Sequence, residues 1–135
     1  MRPTILVVDD DEPILGLMRN ILREFAFQPI TASTGSEALA IARERCPDLI
    51  LLDKNMPGMS GEEVAQEFRR DPVLKSIPIL IVSGEPLRPD ELIAIGADGS
   101  VTKPFDLPQL IATIRHHLDS HALAAEAGIS GEMSR

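Results

Sequence analysis

The stretch Asp48-Leu49-Ile50-Leu51-Leu52-Asp53-Lys54-Asn55-Met56-Pro57 decides the fold, because it drives a short apolar run into a carboxylate and then into a turn. A continuous apolar run bounded by Asp and Pro predicts a strand buried on both faces, as in a parallel sheet covered by helices. A carboxylate at the carboxyl end of such a strand lies where open α/β sheets place their ligands. Asp53 is a candidate site residue from its position alone.

Toward the amino terminus, Thr4-Ile5-Leu6-Val7-Val8 is a second strand, β-branched and apolar, and it too ends in acid, at Asp9-Asp10-Asp11-Glu12. Asp11 is placed to cap a helix that carries Pro13 in its first turn and Ile14, Leu15, Leu17, Met18, Ile21 and Leu22 at helical spacing, running to about Phe25. The segment Phe27 to Thr31 reads as a strand, and Pro29, lacking an N–H, assigns it to the sheet edge. Thr34-Gly35-Ser36-Glu37 fits a capping box that opens a helix, and Cys46-Pro47 ends it.

Toward the carboxyl terminus, Pro57-Gly58 makes a turn and Ser60-Gly61-Glu62-Glu63 a second capping box, opening a helix that Asp71-Pro72 closes. Ile77 to Val82 is a fourth strand, with Ser83-Gly84 at its end. A short helix over Asp90 to Ile95 follows Pro86 and Pro89. A brief strand, Ser100-Val101-Thr102, then runs into Lys103-Pro104. Asp106 caps a last helix with Leu110, Ile111, Ile114 and Leu118 on one face.

Strands and helices alternate along the chain, so the expected fold is α/β: a doubly wound, five-stranded parallel sheet of order 2-1-3-4-5, flavodoxin-like, with right-handed crossovers. That order brings the ends of strands 1 and 3, with Asp9, Asp10 and Asp53, to the topological switch point.

The 135 residues, 44% hydrophobic, suit one domain, expected over 1–120, with 121–135 a tail that frays or extends the last helix; Gly128 and Gly131 favour fraying. A net charge of -8 with no cluster of Lys or Arg, and no Trp or Tyr, argues against direct nucleic-acid binding. No stretch is apolar enough to span a membrane and Cys46 stands alone, so a cytoplasmic protein is expected. His117 and His121 are spaced i, i+4, but no carboxylate or Cys completes a ligand set, so they and His116 read as a solvated helix end. Cys46 reads as a small core or helix-end residue.

Three converging carboxylates raise one another's pKa unless cations offset them. Lys103 supplies one charge, and a hard divalent ion with oxygen ligands, Mg²⁺, fits the remainder; no His or Cys near the strand ends favours zinc. A carboxylate nucleophile, a metal cradle, a lysine and the Ser83 hydroxyl are the parts of phosphoryl chemistry.

Taken together, Val7-Val8-Asp9-Asp10, Leu52-Asp53-Lys54-Asn55-Met56-Pro57-Gly58, Ser83-Gly84 and Lys103-Pro104-Phe105 resemble the receiver domain of two-component response regulators, over roughly residues 4–118. The likeness is to stand-alone, chemotaxis-type receivers. The resemblance implies that Asp53 accepts a phosphoryl group from the phosphohistidine of a sensor histidine kinase or phosphotransfer protein, altering contacts with a downstream protein. It implies Mg²⁺ or Mn²⁺ held by Asp10, Asp53 and the backbone carbonyl of Asn55, with Asp9 acting through water. It further implies that Lys103 pairs with Asp53 or its phosphoryl group, that Ser83 bonds a phosphoryl oxygen, that Gly84 leaves the approach open, and that the Lys103-Pro104 bond is cis. Asn55 and Glu85 stand where similar receivers tune dephosphorylation, implying a self-limited phosphoryl state. Such a protein catalyses its own phosphorylation and dephosphorylation and is not otherwise an enzyme.

The chain departs from that pattern at Ser100, where the family usually has Tyr or Phe as an output switch, and at Lys54, where an apolar residue is more common beside the site. The stretch between Ser83 and Lys103 is slightly short and carries Pro86 and Pro89, so a short or displaced fourth helix is expected. The apolar stripe of the last helix is core first and a dimer surface second; a homodimer would use the helix 4, strand 5, helix 5 face. Two other functions compete: a phosphorylation-independent interaction module, and a haloacid dehalogenase-like phosphohydrolase with Asp9 as nucleophile and Asp11 as acid. Glu12-Pro13 breaks the dehalogenase pattern, and no cap domain is present.

Overall fold

The computed structural model describes residues 2–126. Its elements run β1 (Thr4–Val8), α1 (Glu12–Glu24), β2 (Gln28–Ala32), α2 (Gly35–Arg45), β3 (Leu49–Asp53), α3 (Gly61–Arg70), β4 (Ile79–Ser83), α4 (Pro89–Ile95), β5 (Gly99–Thr102) and α5 (Leu107–Glu126). All strand pairs are parallel and the order is β2-β1-β3-β4-β5, as the alternation and Pro29 predict. Because β2 lies on one side of β1 and β3 on the other, the chain reverses direction across the sheet between β1 and β3. That reversal opens the crevice at their carboxyl ends.

Period-two alternation assigns each strand residue to a face. Leu6, Val8, Ile50, Leu52, Ile79 and Ile81 pack with Ala38, Ala42, Val64, Ala65 and Phe68, beneath α2 and α3. Ile5, Val7, Leu49, Leu51, Leu80 and Val82 pack with Leu15, Met18, Leu22, Leu110, Ile111 and Ile114, beneath α1 and α5. β3 and β4 are buried at every position, which is why their sequences read as continuous apolar runs. Each buried Leu, Ile or Val of these strands contributes roughly 1.5–3 kcal/mol by leaving water.

Several local expectations change on contact with the rest of the chain. Asp11 is the residue before α1 but makes no side-chain cap bond. At α2, Thr34 Oγ1 accepts the N–H of Glu37 at 3.1 Å, while Glu37 Oε1 reaches Ser33 N at 2.7 Å and Ser33 Oγ at 3.2 Å; the box closes one residue early. The α3 box forms as expected, between Ser60 and Glu63. The second strand begins at Gln28, leaving Phe27 as a core residue, and the fourth begins at Ile79, because Pro78 only contributes its carbonyl to Ile50 N. Cys46 is an exposed helix C-cap at φ 42° rather than a core residue.

His117 is half-buried against Gly99 of β5, not solvated, and burial together with neighbouring His116 lowers its pKa. The fourth helix is seven residues long, in keeping with Pro86 before it and Pro89 as its first residue. α5 continues to Glu126; Gly128 and Gly131 lie outside the described residues.

Candidate functional site

Three strand ends and two loops meet at the crevice. Asp53 is the last residue of β3, in register with Val82 of β4, and Asp9 follows β1, its N–H donating to Ala32 O of β2 at 3.1 Å. Asp9 and Asp53 are 5% and 6% exposed, whereas Asp10 opens to solvent. One carboxylate oxygen from each of Asp9, Asp10 and Asp53 can be chosen so that all lie within 4.8 Å of one another. Asp11 and Glu12, the other acids of the run, are exposed and outside that cluster; the Asp11 N–H donates to Asp9 Oδ1 at 3.0 Å. The Asp11 backbone thus orients Asp9, while the Asp11 carboxylate is exposed and not part of the cluster.

Lys103 is held by its main chain, its N–H donating to Ser83 O at 2.8 Å, and precedes a cis bond to Pro104. Its Nζ lies 3.4 Å from Asp53 Oδ1 and 3.8 Å from Asp9 Oδ2. Burial first, then the charge of Asp9, raise the pKa of Asp53; Lys103 and the backbone N–H of Asn55 oppose them without cancelling them. The donor set is all oxygen, with three carboxylates against one ammonium, and it fits a hard divalent cation with room for water.

Ser83 ends β4, 4% exposed, and its Oγ accepts the N–H of Glu85 at 3.2 Å. A Cβ on Gly84 would meet nothing within 4 Å, so the approach past it is open. Asn55 and Glu85 are exposed at the rim, and Lys54 is half-buried, its N–H on Val82 O at 2.9 Å. Ser100 is brought to no part of this cluster. It lines a hollow of about 210 Å³ between β5 and α5, with Thr102, Gln109 and Thr113.

The model of the response regulator receiver domain matches residues 5–115 of the chain. The chain belongs to that family. The receiver is 33% identical over 120 residues to the polar-differentiation response regulator DivK of Brucella ovis, an alignment covering 87% of this chain and 98% of DivK. Its structure is similar to that of the Vibrio cholerae chemotaxis protein CheY4, with TM-score 0.80, 33% identity and coverage of 86% of this chain and 98% of that one. A CheY-like response regulator receiver domain protein from Methanospirillum hungatei superposes with TM-score 0.82 at 27% identity, covering 90% and 98%. The receiver is therefore a phosphoacceptor switch of two-component signalling. No helix among its described residues is long and apolar enough to cross a membrane.

Two residues that shape the receiver escaped the sequence reading. Arg69 looks like a surface charge in the last turn of α3, yet it is half-buried, with Nε on Gly96 O at 2.7 Å and Nη1 on Lys75 O at 2.7 Å and Ile77 O at 2.9 Å. Gly61 reads as a filler of the capping box, yet it is buried against the backbone of Asp53. The available signal was a glycine at a helix start, where nothing local demands one.

Proposed function

We propose that Asp53 is the phosphoacceptor. A carboxylate oxygen attacks the phosphorus of a phosphohistidine on a sensor histidine kinase or phosphotransfer protein. The P–N bond breaks with its electron pair left on the imidazole, and the product is an acyl phosphate on Asp53. The observation that carries this reading is the meeting of three carboxylates within 4.8 Å with the Lys103 ammonium 3.4 Å from Asp53.

Lys103 is placed to follow the charge that develops on the phosphoryl oxygens, and Ser83 Oγ reaches one of them by turning away from the Glu85 N–H. Asp10, Asp53 and the Asn55 backbone carbonyl would hold Mg²⁺ or Mn²⁺ directly, and Asp9 through water. Such an ion supplies the positive charge that lets a dianionic phosphoryl group approach ionised carboxylates. Gly84 keeps the line of approach clear, and Asn55 and Glu85 at the open rim admit water, giving a self-limited phosphoryl state. Lys54, at the rim beside Asp53, takes part in docking the kinase. The receiver turns over no separate substrate. It catalyses its own phosphorylation and dephosphorylation in the cytoplasm, as a domain spanning residues 1–120, beyond which α5 extends to Glu126. Output runs through a protein partner or a homodimer at the α4, β5, α5 face, with Ser100 in place of an aromatic switch.

Intact-mass and peptide mass spectrometry after treatment with acetyl phosphate tests this. One phosphoryl group on Asp53, present with Mg²⁺ and absent with EDTA, is expected. Label on Asp9, or metal-independent label, overturns it.

A further inference from the structure

Glycines in this chain serve two purposes. Gly58 and Gly96 are glycines for conformation, with φ of 74° and 88°. Gly61 is a glycine for space. A Cβ built on it would lie 2.9 Å from Lys54 Cα, 3.1 Å from the Asp53 carbonyl carbon and closer still to the Asp53 carbonyl oxygen. These are main-chain atoms, and no rotamer change can clear them.

The same peptide is gripped from the other side. The Lys54 N–H donates to Val82 O of β4 at 2.9 Å, while on the α3 side the carbonyl of the next peptide, Lys54 O, accepts the Gly61 N–H at 3.0 Å. The start of α3 is itself pinned, with Ser60 N on Glu63 Oε1 at 2.9 Å and Glu63 N on Ser60 Oγ at 3.2 Å. The Asp53-Lys54 peptide is therefore wedged between β4 and the first turn of α3, and its seat fixes the Asp53 Cα and carbonyl carbon from which the side chain departs.

We propose that Gly61 is a positioning residue for the phosphoacceptor. It lets α3 seat against the peptide after Asp53 and so aims the carboxylate at Lys103 and Asp9. Any side chain at this position drives that peptide aside and turns the carboxylate away. The inference rests on the reading of Asp53 as phosphoacceptor. Gly35 supplies an internal comparison, because its Cβ would meet Val64 Cγ2 at 2.7 Å and Met59 Sδ at 2.9 Å, side-chain atoms rather than the main chain of Asp53 and Lys54.

The experiment compares the full-length wild type with Gly61→Ala, Gly35→Ala and Ser60→Ala. The initial rate of Asp53 labelling by acetyl phosphate and Mg²⁺ is divided by the folded fraction from circular dichroism. In the labelling step an Asp53 oxygen bonds to phosphorus while the bond from phosphorus to the acetyl oxygen breaks, and acetate leaves with the electron pair. Gly61→Ala is expected to label about 10- to 100-fold more slowly per folded molecule, since a misplacement of about 1 Å can cost on the order of 10²-fold. Its affinity for beryllofluoride falls in parallel, while Gly35→Ala stays close to wild type on both measures. A wild-type rate in folded Gly61→Ala, or an equal loss in Gly35→Ala, overturns the proposal. Should Gly61→Ala not fold, Ser60→Ala, which loosens the seat without adding an atom, decides: a several-fold loss per folded molecule supports the positioning role and no loss overturns it. A wild type that takes no label on Asp53 overturns the phosphoacceptor reading first and this inference with it, an outcome distinct from a labelled wild type beside an unaffected Gly61→Ala.

Discussion

The Lys103 ammonium lies 3.4 Å from Asp53 Oδ1, reaching from the loop after β5 across the end of β4 to the end of β3. That distance is long for a charge-assisted hydrogen bond, which is typically about 2.7–2.9 Å, so the pair acts mainly as an electrostatic contact. The same ammonium serves Asp9 at 3.8 Å, one cation shared by two buried carboxylates. Lys103→Gln removes it. Labelling of Asp53 by acetyl phosphate is expected to fall by on the order of 10²-fold, the usual loss for a group aimed at developing charge. Carboxyl-carbon NMR titration should show the Asp53 pKa moving further up, because only the Asn55 N–H then opposes burial and Asp9.

The raised pKa of Asp53 carries a stability sign. The folded protein holds that proton more tightly than the unfolded chain, whose carboxyl titrates near 3.8. Its favourable contribution is therefore full below 3.8 and is lost as pH rises through the folded pKa, so the ionised group works against the metal-free fold at neutral pH. Asp53→Asn in EDTA at ~pH 7 should raise Tm, read at roughly 3–6 °C per kcal/mol for a domain of this size. The gain should shrink as pH is lowered toward 3.8. Mg²⁺ should stabilise the wild type, by about 2.7 kcal/mol at a hundred times its Kd, and Asp53→Asn far less. Scanning calorimetry checks both, and a lower Tm for the variant at ~pH 7 in EDTA contradicts the sign.

Arg69 ties four segments together. Besides its three carbonyl partners, its Nη2 lies 2.9 Å from Asp98 Oδ2, which also accepts the Ile79 N–H at 2.8 Å. Arg69→Ala strips the carbonyls of Lys75, Ile77 and Gly96 of this donor together, at an expected cost of about 3 kcal/mol or more in urea unfolding. Arg69→Lys should recover little, since a single ammonium cannot span the fork of acceptors.

The hollow of about 210 Å³ beside Ser100 has room for a larger side chain. Ser100→Tyr should fold with a stability change below about 1 kcal/mol, unlike insertions into a closed core, which cost about 1–3 kcal/mol. Urea unfolding measures it; a larger loss would mean that the new ring cannot enter the space between β5 and α5.

Much of the site was legible because its signals are local. Asp53, Asp9 and Asp10 stand at the ends of apolar runs, Ser83 at the end of another and Lys103 at the end of the brief strand Ser100-Val101-Thr102, and parallel topology brings strand ends together whatever their spacing in the chain. The membership of the acidic run was not legible as spacing. Asp9 and Asp10 join the cluster while Asp11 turns its N–H onto Asp9, a division that depends on how the chain leaves β1. Ser33 replaces Thr34 as the backbone partner of Glu37 because the turn into α2 presents its N–H instead.

By itself the sequence determined the alternation of strands and helices, the edge position of β2 through Pro29 and the carboxylates at the switch point. These follow from side-chain period and from what Pro, Gly and Asp permit in their own backbone. Only the tertiary structure decided that Lys103 reaches both Asp53 and Asp9, that Arg69 is half-buried among carbonyls, that His117 packs under β5, and that Gly61 must carry no side chain. Each of these is a distance between separate elements, set by strand register and helix seating. Neither quantity is written in any local stretch of residues.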